Sequence, residues 1–174
     1  MKSLLKLFLF FALTPSIVFS AGPSLTLSCT TDWQSEVEIA KRKGAPILVV
    51  FSSDTCMPCE QLKSELIKPM LADGTLDRRV HITEFSINQG GKITDFDGEL
   101  VRSRIFVRRY KVFATPTVLL LDYEGEILSA PLVGYDASDD YTKRLNSAIM
   151  DAAISLAGTT SPRVANLQIH PVSD

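Results

Sequence analysis

The sequence predicts an α/β domain: a central mixed four-stranded sheet flanked by helices. Two continuous apolar runs, Ile47–Phe51 and Thr117–Leu121, read as strands buried on both faces. Segments between and around them carry apolar residues every three to four positions, the pattern of amphipathic helices. The length of 174 residues, with 45% hydrophobic and 22% charged residues, fits one domain with a real core. It excludes a collagen-like, a mostly disordered or a disulfide-dense chain.

Met1 to Ser20 form a separate object. Lys2 and Lys6 are its only charges, an apolar run extends from Leu7 to Phe19, and small residues Ser20, Ala21 and Gly22 follow. This is the anatomy of a secretory signal, with cleavage expected after Ser20. The run is short of the ~20 residues that span a bilayer; the alternative is an uncleaved anchor. Cys29 lies too far along for a lipoprotein signal. Loss of Lys2 and Lys6 would leave 16 bases against 20 acids, a net charge of −4. Neither this nor the full chain's −2 is the basic footprint of a nucleic-acid binder. Export implies an oxidising compartment.

Residues 21–32 form an unpatterned lead-in, and the domain is expected over 33–157. Asp32 can cap a helix from Trp33 to Lys43 that buries Val37 and Ala40 and stops at Gly44. The first strand follows Pro46. Cys56 to Leu71 is helical through Leu62, Leu66 and Met70, with Pro69 kinking its last turn. Arg79–Ile87 alternates as a second strand, and Asn88–Gly98 reads as a polar loop. Glu99–Tyr110 reads as a helix with Leu100, Val101, Ile105 and Phe106 inward and Arg102, Arg104, Arg108 and Arg109 on a solvated face. After Thr117–Leu121, Asp122–Gly125 is a hairpin signal, with Glu126–Val133 returning as an edge strand because of Pro131. Ser138 caps the last helix, Asp139–Leu156, with a Tyr141, Leu145, Ile149, Ala153 stripe; Gly158 stops it and 158–174 is a polar tail. The strand–helix–strand steps are expected to pair in parallel, the late hairpin antiparallel.

The chemistry sits in Cys56-Met57-Pro58-Cys59. Two thiols three apart at a helix start face one another on one turn. The first lies where backbone N–H groups favour an anion, which lowers its pKa and makes it the nucleophile. The second can attack a mixed disulfide from within. Zinc would need more ligands than Cys29, His81 and His170 can add in this arrangement, and covalent haem would need His where Glu60 stands. No metal and no cofactor are expected. A structural disulfide across so short a loop gains little chain entropy. Cys29 is the odd thiol: a free cysteine, the donor of an intermolecular disulfide, or a third redox group.

Phe51 to Cys59, Thr115-Pro116-Thr117 and Gly134-Tyr135 resemble the thioredoxin superfamily over Trp33 to Leu156. The pattern is most similar to exported bacterial members such as the C-terminal domain of DsbD and the SoxW-type thioredoxins. The resemblance implies a thioredoxin-like sandwich, a redox-active Cys56–Cys59 pair and a cis bond before Pro116. It also implies a substrate surface that includes Met57, Pro58, Thr115 and Pro116. It implies disulfide-containing protein substrates, an upstream thiol–disulfide electron donor and a monomer. Two departures stand out: Thr55 replaces the family's Trp before the first Cys, and Val50 replaces its buried Asp, leaving Glu60 as a candidate substitute. With no His between the cysteines, and Asp54 and Glu60 opposing a thiolate, the expected direction is reduction. An oxidase or isomerase, or a partner-binding module without redox activity, are the alternatives.

Overall fold

Residues 27–160 are described by the computed structural model; the expected signal segment lies outside the described residues, as does the tail from 161. The apolar run after Pro46 becomes β1 (Ile47–Ser52), buried along its whole length. It lies between β2 (His81–Ser86), which pairs with it in parallel, and β5 (Thr117–Leu121), which pairs antiparallel. β6 (Leu132–Val133) completes the order β2-β1-β5-β6. The β1–β2 step has the expected parallel sense. The helical step from β2 into β5 does not: β5 crosses to the far side of β1 and runs against it.

Alternation along the strands divides the core into two layers. Leu48, Val50, Val118 and Leu120 face the helices after the cysteine motif and the last helix. Ile47, Val49, Phe51, Leu119 and Leu121 face α1 (Trp33–Lys43) and α4 (Ser103–Arg109). The Asp32 carboxylate accepts the N–H groups of Gln34 and Ser35, satisfying donors that the first turn leaves free, and Gly44 ends α1 in the left-handed conformation. Trp33, at the first helical position, is the hub of the second layer, stacked on Phe96 at 5.1 Å and Phe106 at 4.9 Å between ring centres.

The helix after the motif is less regular than its periodicity predicts. α2 (Met57–Gln61) opens into a π-helical stretch, Leu62–Ile67, before α3 (Lys68–Ala72). Pro69 has no N–H to give the preceding turn, and the wider pitch lies immediately before it. The expected Glu99–Tyr110 helix is shorter. Lys92–Thr94 (β3), within the expected polar loop, and Leu100–Arg102 (β4), within the expected helix, form an antiparallel hairpin, and α4 starts only at Ser103. Leu100 and Ile105 are therefore exposed, while Phe106 and Tyr110 fill the core. Bidentate pairing of Arg109 with the buried Asp95 fastens this hairpin to α4.

Residues 27–32, the described part of the lead-in, are more ordered than their composition suggests. Cys29 bridges Glu84 in parallel, with Thr30 N–H donating to the Glu84 carbonyl and Glu84 N–H to that of Ser28. The segment thus covers the open edge of β2, a common protection for an edge strand. The returning strand is shorter than expected: only Leu132–Val133 pairs as a ladder, beyond Pro131, with a lone bridge at Ile127. α5 (Asp139–Thr160) runs through Gly158 rather than stopping there. It buries Ala152, not Ala153; at 3.6 residues per turn a strict four-residue stripe drifts off the face.

Candidate redox site

Cys56 stands at the N-cap of the helical run, and its extended backbone ends the turn that begins at Ser53. Its sulfur is bonded to that of Cys59, with the two Cα atoms 5.2 Å apart. The Cys59 N–H also donates to Cys56 Sγ at 3.1 Å, so a backbone donor is already aimed at the outer sulfur. Cys56 is half-buried, whereas Cys59 has no exposed surface. Pro58 sits in the first turn, where its missing N–H is tolerated. Met57 is 70% exposed beside it.

The second wall of the site comes from the loop before β5. The Thr115–Pro116 peptide bond is cis. Thr115 is half-buried and its Oγ1 lies 3.1 Å from Ser53 Oγ, joining this loop to the turn that presents Cys56. Gly134 N–H donates to the Pro116 carbonyl at 2.8 Å, which anchors the same loop to the end of β6.

A chain belonging to the thioredoxin-like family would show this combination, and the comparison decides it. A family model described as a thioredoxin-like domain matches residues 33–149. The chain belongs to the thioredoxin-like family. No curated protein matches it. Among solved structures, this thioredoxin-like chain is similar to a candidate disulphide-isomerase from Bacteroides thetaiotaomicron, at 19% identity and a TM-score of 0.52 over 71% of this chain and 93% of that one. It is also similar to the oxidised C-terminal domain of Neisseria meningitidis DsbD, at 15% identity and a TM-score of 0.48 over 66% and 90%. At these identities the likeness is one of fold.

Between the cysteine helix and the sheet edge lies a charged pair that sequence reasoning missed. Val50, expected to stand where the family has a buried Asp, is buried on β1, and its strand partner across the β1–β2 ladder is Glu84. Glu84 is held by Ser52 Oγ and by Lys63 Nζ at 2.9 Å, and both charged side chains are largely buried. Lys63 follows Cys59 by four residues, so it lies one turn along the same helical face. Burial works to lower its pKa, but its bonds to Glu60 and Glu84 outweigh this and hold it above the ordinary lysine value. Glu60 is exposed and bound to Lys63 at 2.7 Å. Glu60 thus faces solvent and shares the Lys63 ammonium with Glu84. Asp54, exposed two residues before Cys56, has its carboxylate accepting from Ser86 Oγ.

Cys29 is a free, exposed thiol whose Sγ donates to Gln89 Oε1 at 3.8 Å. Partial burial pushes its pKa up; Glu84 and Asp54 add to the rise, while the Ser86 backbone and Lys63 oppose it.

Proposed function

We propose that this chain is an exported thiol–disulfide oxidoreductase that reduces disulfides of periplasmic partner proteins. The observation that carries the reading is the unequal pair: an outer Cys56 within reach of solvent and an inner Cys59 sealed behind it. Membership of the thioredoxin-like family supports it. The basic and apolar residues of Met1–Ser20 support export.

In the reduced protein the Cys56 thiolate attacks one sulfur of a substrate disulfide and the other leaves as a thiolate. The product is a mixed disulfide on Cys56. Cys59 then loses its proton and attacks Cys56 Sγ, closing the intramolecular bond and releasing the second substrate thiolate. Two electrons pass to the substrate, and a dithiol donor upstream must return them. The N–H of Cys59 and the helical N-terminus favour the attacking anion. The exposed Met57 and Pro58 and the half-buried Thr115 form the surface that receives the substrate chain, with Pro116 buried next to Thr115.

Reduction is favoured over oxidation because Met57-Pro58 supplies no cationic donor between the cysteines, while Asp54 opposes strong acidification of Cys56. A Cys59→Ala variant should accumulate partner proteins as mixed disulfides on Cys56. The equilibrium potential should lie near the ~−270 mV of reducing thioredoxins; a value near the ~−120 mV of strong oxidants would overturn the direction.

A further inference from the structure

The β3–β4 hairpin carries an arrangement that folding alone disfavours. Lys92 and Arg102 are direct partners across its antiparallel ladder, and both are exposed. Like charges set opposite one another destabilise such a pair. Arg104, two residues further on, joins them at the rim of a cavity of about 350 Å³ whose lining contains no acid. Among the described residues none of the three side chains enters an ion pair or a hydrogen bond. Arg109, on the same helix, is by contrast fully engaged with Asp95.

The cavity is also tied to the redox turn. Its wall includes Gln89, Gly90 and Gly91, and Ser103 Oγ donates to the carbonyls of both glycines. The preceding residue, Asn88, accepts the Asp54 N–H at 3.2 Å, two residues before Cys56. One short loop therefore connects the cationic rim to the turn that presents the outer sulfur.

We infer that this cavity is a docking site for a carboxylate-bearing segment of the protein that exchanges disulfides at Cys56. The inference rests on the redox reading and adds the chemistry of the partner. Three cations lining one cavity fit two or three Asp or Glu side chains on a folded or extended polypeptide. They are too few and too localised for a nucleic-acid backbone, and the chain as a whole is acidic. An acidic partner segment relieves the Lys92–Arg102 repulsion, speeds encounter and fixes the approach of the neighbouring disulfide.

Two measurements test this, and the first needs no catalysis. A fluorescent peptide rich in Glu and lacking cysteine is titrated against the oxidised protein by anisotropy, beside an equally long Lys-rich peptide. The acidic peptide should bind at least about tenfold more tightly at low salt, and the difference should shrink near ~0.3 M salt as charges are screened. A Lys92→Gln/Arg102→Gln/Arg104→Gln variant should lose the preference, as should the single Arg102→Glu variant. In the second, the reduced protein acts on two peptide disulfides that differ only in Glu or Lys flanks, with hydroxyethyl disulfide as an uncharged control. The Glu-flanked substrate should show about tenfold higher kcat/KM in the native protein and no advantage in the variants. Equal binding of the two peptides, a preference that survives the substitutions, or tighter binding of a single-stranded oligonucleotide than of the acidic peptide would overturn the inference. So would a binding preference with no matching preference in kcat/KM. Failure to reduce hydroxyethyl disulfide would instead strike the redox reading, leaving anisotropy to decide the docking site.

Discussion

Replacing Lys63 by Met probes the largely buried Lys63–Glu84 pair, and the structure sets the size of the effect. Lys63 and Glu84 have 14% and 13% of their side-chain surface exposed. Removing one partner of a buried pair costs about 3–5 kcal/mol because the other charge is stranded. Glu84 would keep only the Ser52 hydroxyl, so Lys63→Met should cost about 3 kcal/mol, the low end of that range. Glu84→Gln is milder. Lys63 retains Glu60 at 2.7 Å, and a Gln side chain can still accept from Ser52, so the loss should be near ~1 kcal/mol. The double variant should be more stable than Lys63→Met alone, since no charge is then left buried without a partner. Melting of the oxidised protein, at ~4 °C per kcal/mol for a domain near this size, should fall by about 12 °C and about 4 °C for the two single variants. Lys63 titrates above the ordinary lysine value, so its contribution is present below that value. It is lost only as pH rises through the still higher folded-state value, where the gap between native protein and Lys63→Met narrows. Cys29 gives a second readout. Lys63 lowers its pKa and Glu84 raises it, so alkylation of Cys29 should slow in Lys63→Met and quicken in Glu84→Gln. A Glu84→Gln loss equal to that of Lys63→Met, or a double variant no better than Lys63→Met, would refute the reasoning.

After mild reduction, iodoacetamide followed by mass spectrometry should label Cys56 in the folded protein and Cys59 only after unfolding, given the burial of the inner sulfur; equal labelling would contradict it. Gly125→Ala should cost about 3 kcal/mol in chemical denaturation, because φ is +85° and a Cβ there would meet Phe96 at 2.7 Å and the Tyr110 hydroxyl at 2.9 Å; a loss below ~1 kcal/mol would show that the turn yields. Arg109→Met should destabilise more than Asp95→Asn, since it strands a buried carboxylate, whereas Arg109 is half exposed and can rehydrate; the reverse order in melting would disprove this.

Elements with local signatures were legible. Asp32 and Gly44 mark both ends of α1, and the unbroken apolar runs of β1 and β5 announce central strands. The cysteine motif marks its own helix start because the cap, the proline and the spacing are all contiguous. The β3–β4 hairpin was hidden because Val101 and Ile105 mimic a helical stripe, and three-residue strands carry too little alternation to compete. The strand-like pairing of Cys29 is made by backbone groups, which leave no side-chain pattern to read. Within the site, the spacing of Lys63 from Cys59 was visible, but its partner Glu84 comes from another element through a strand register that only the assembled sheet defines.

The features that escaped local reading converge on one flank of the redox turn. Gln89 receives Cys29 from the edge segment, Asn88 receives the Asp54 backbone, and Gly90 and Gly91 receive Ser103 from the start of α4. Asp95 and Arg109 then tie the far side of the hairpin to the same helix. The loop between β2 and β3 is thus held from the sheet edge, the cysteine turn and α4 together. The scaffold that exposes Cys56 is built from the thioredoxin-like core, whereas this flank is built from the edge segment, the hairpin and the loop between them. Lys92, Arg102 and Arg104 line its cavity without an ion pair, and the proposed docking of an acidic partner rests on the loop that joins this cavity to the turn before Cys56.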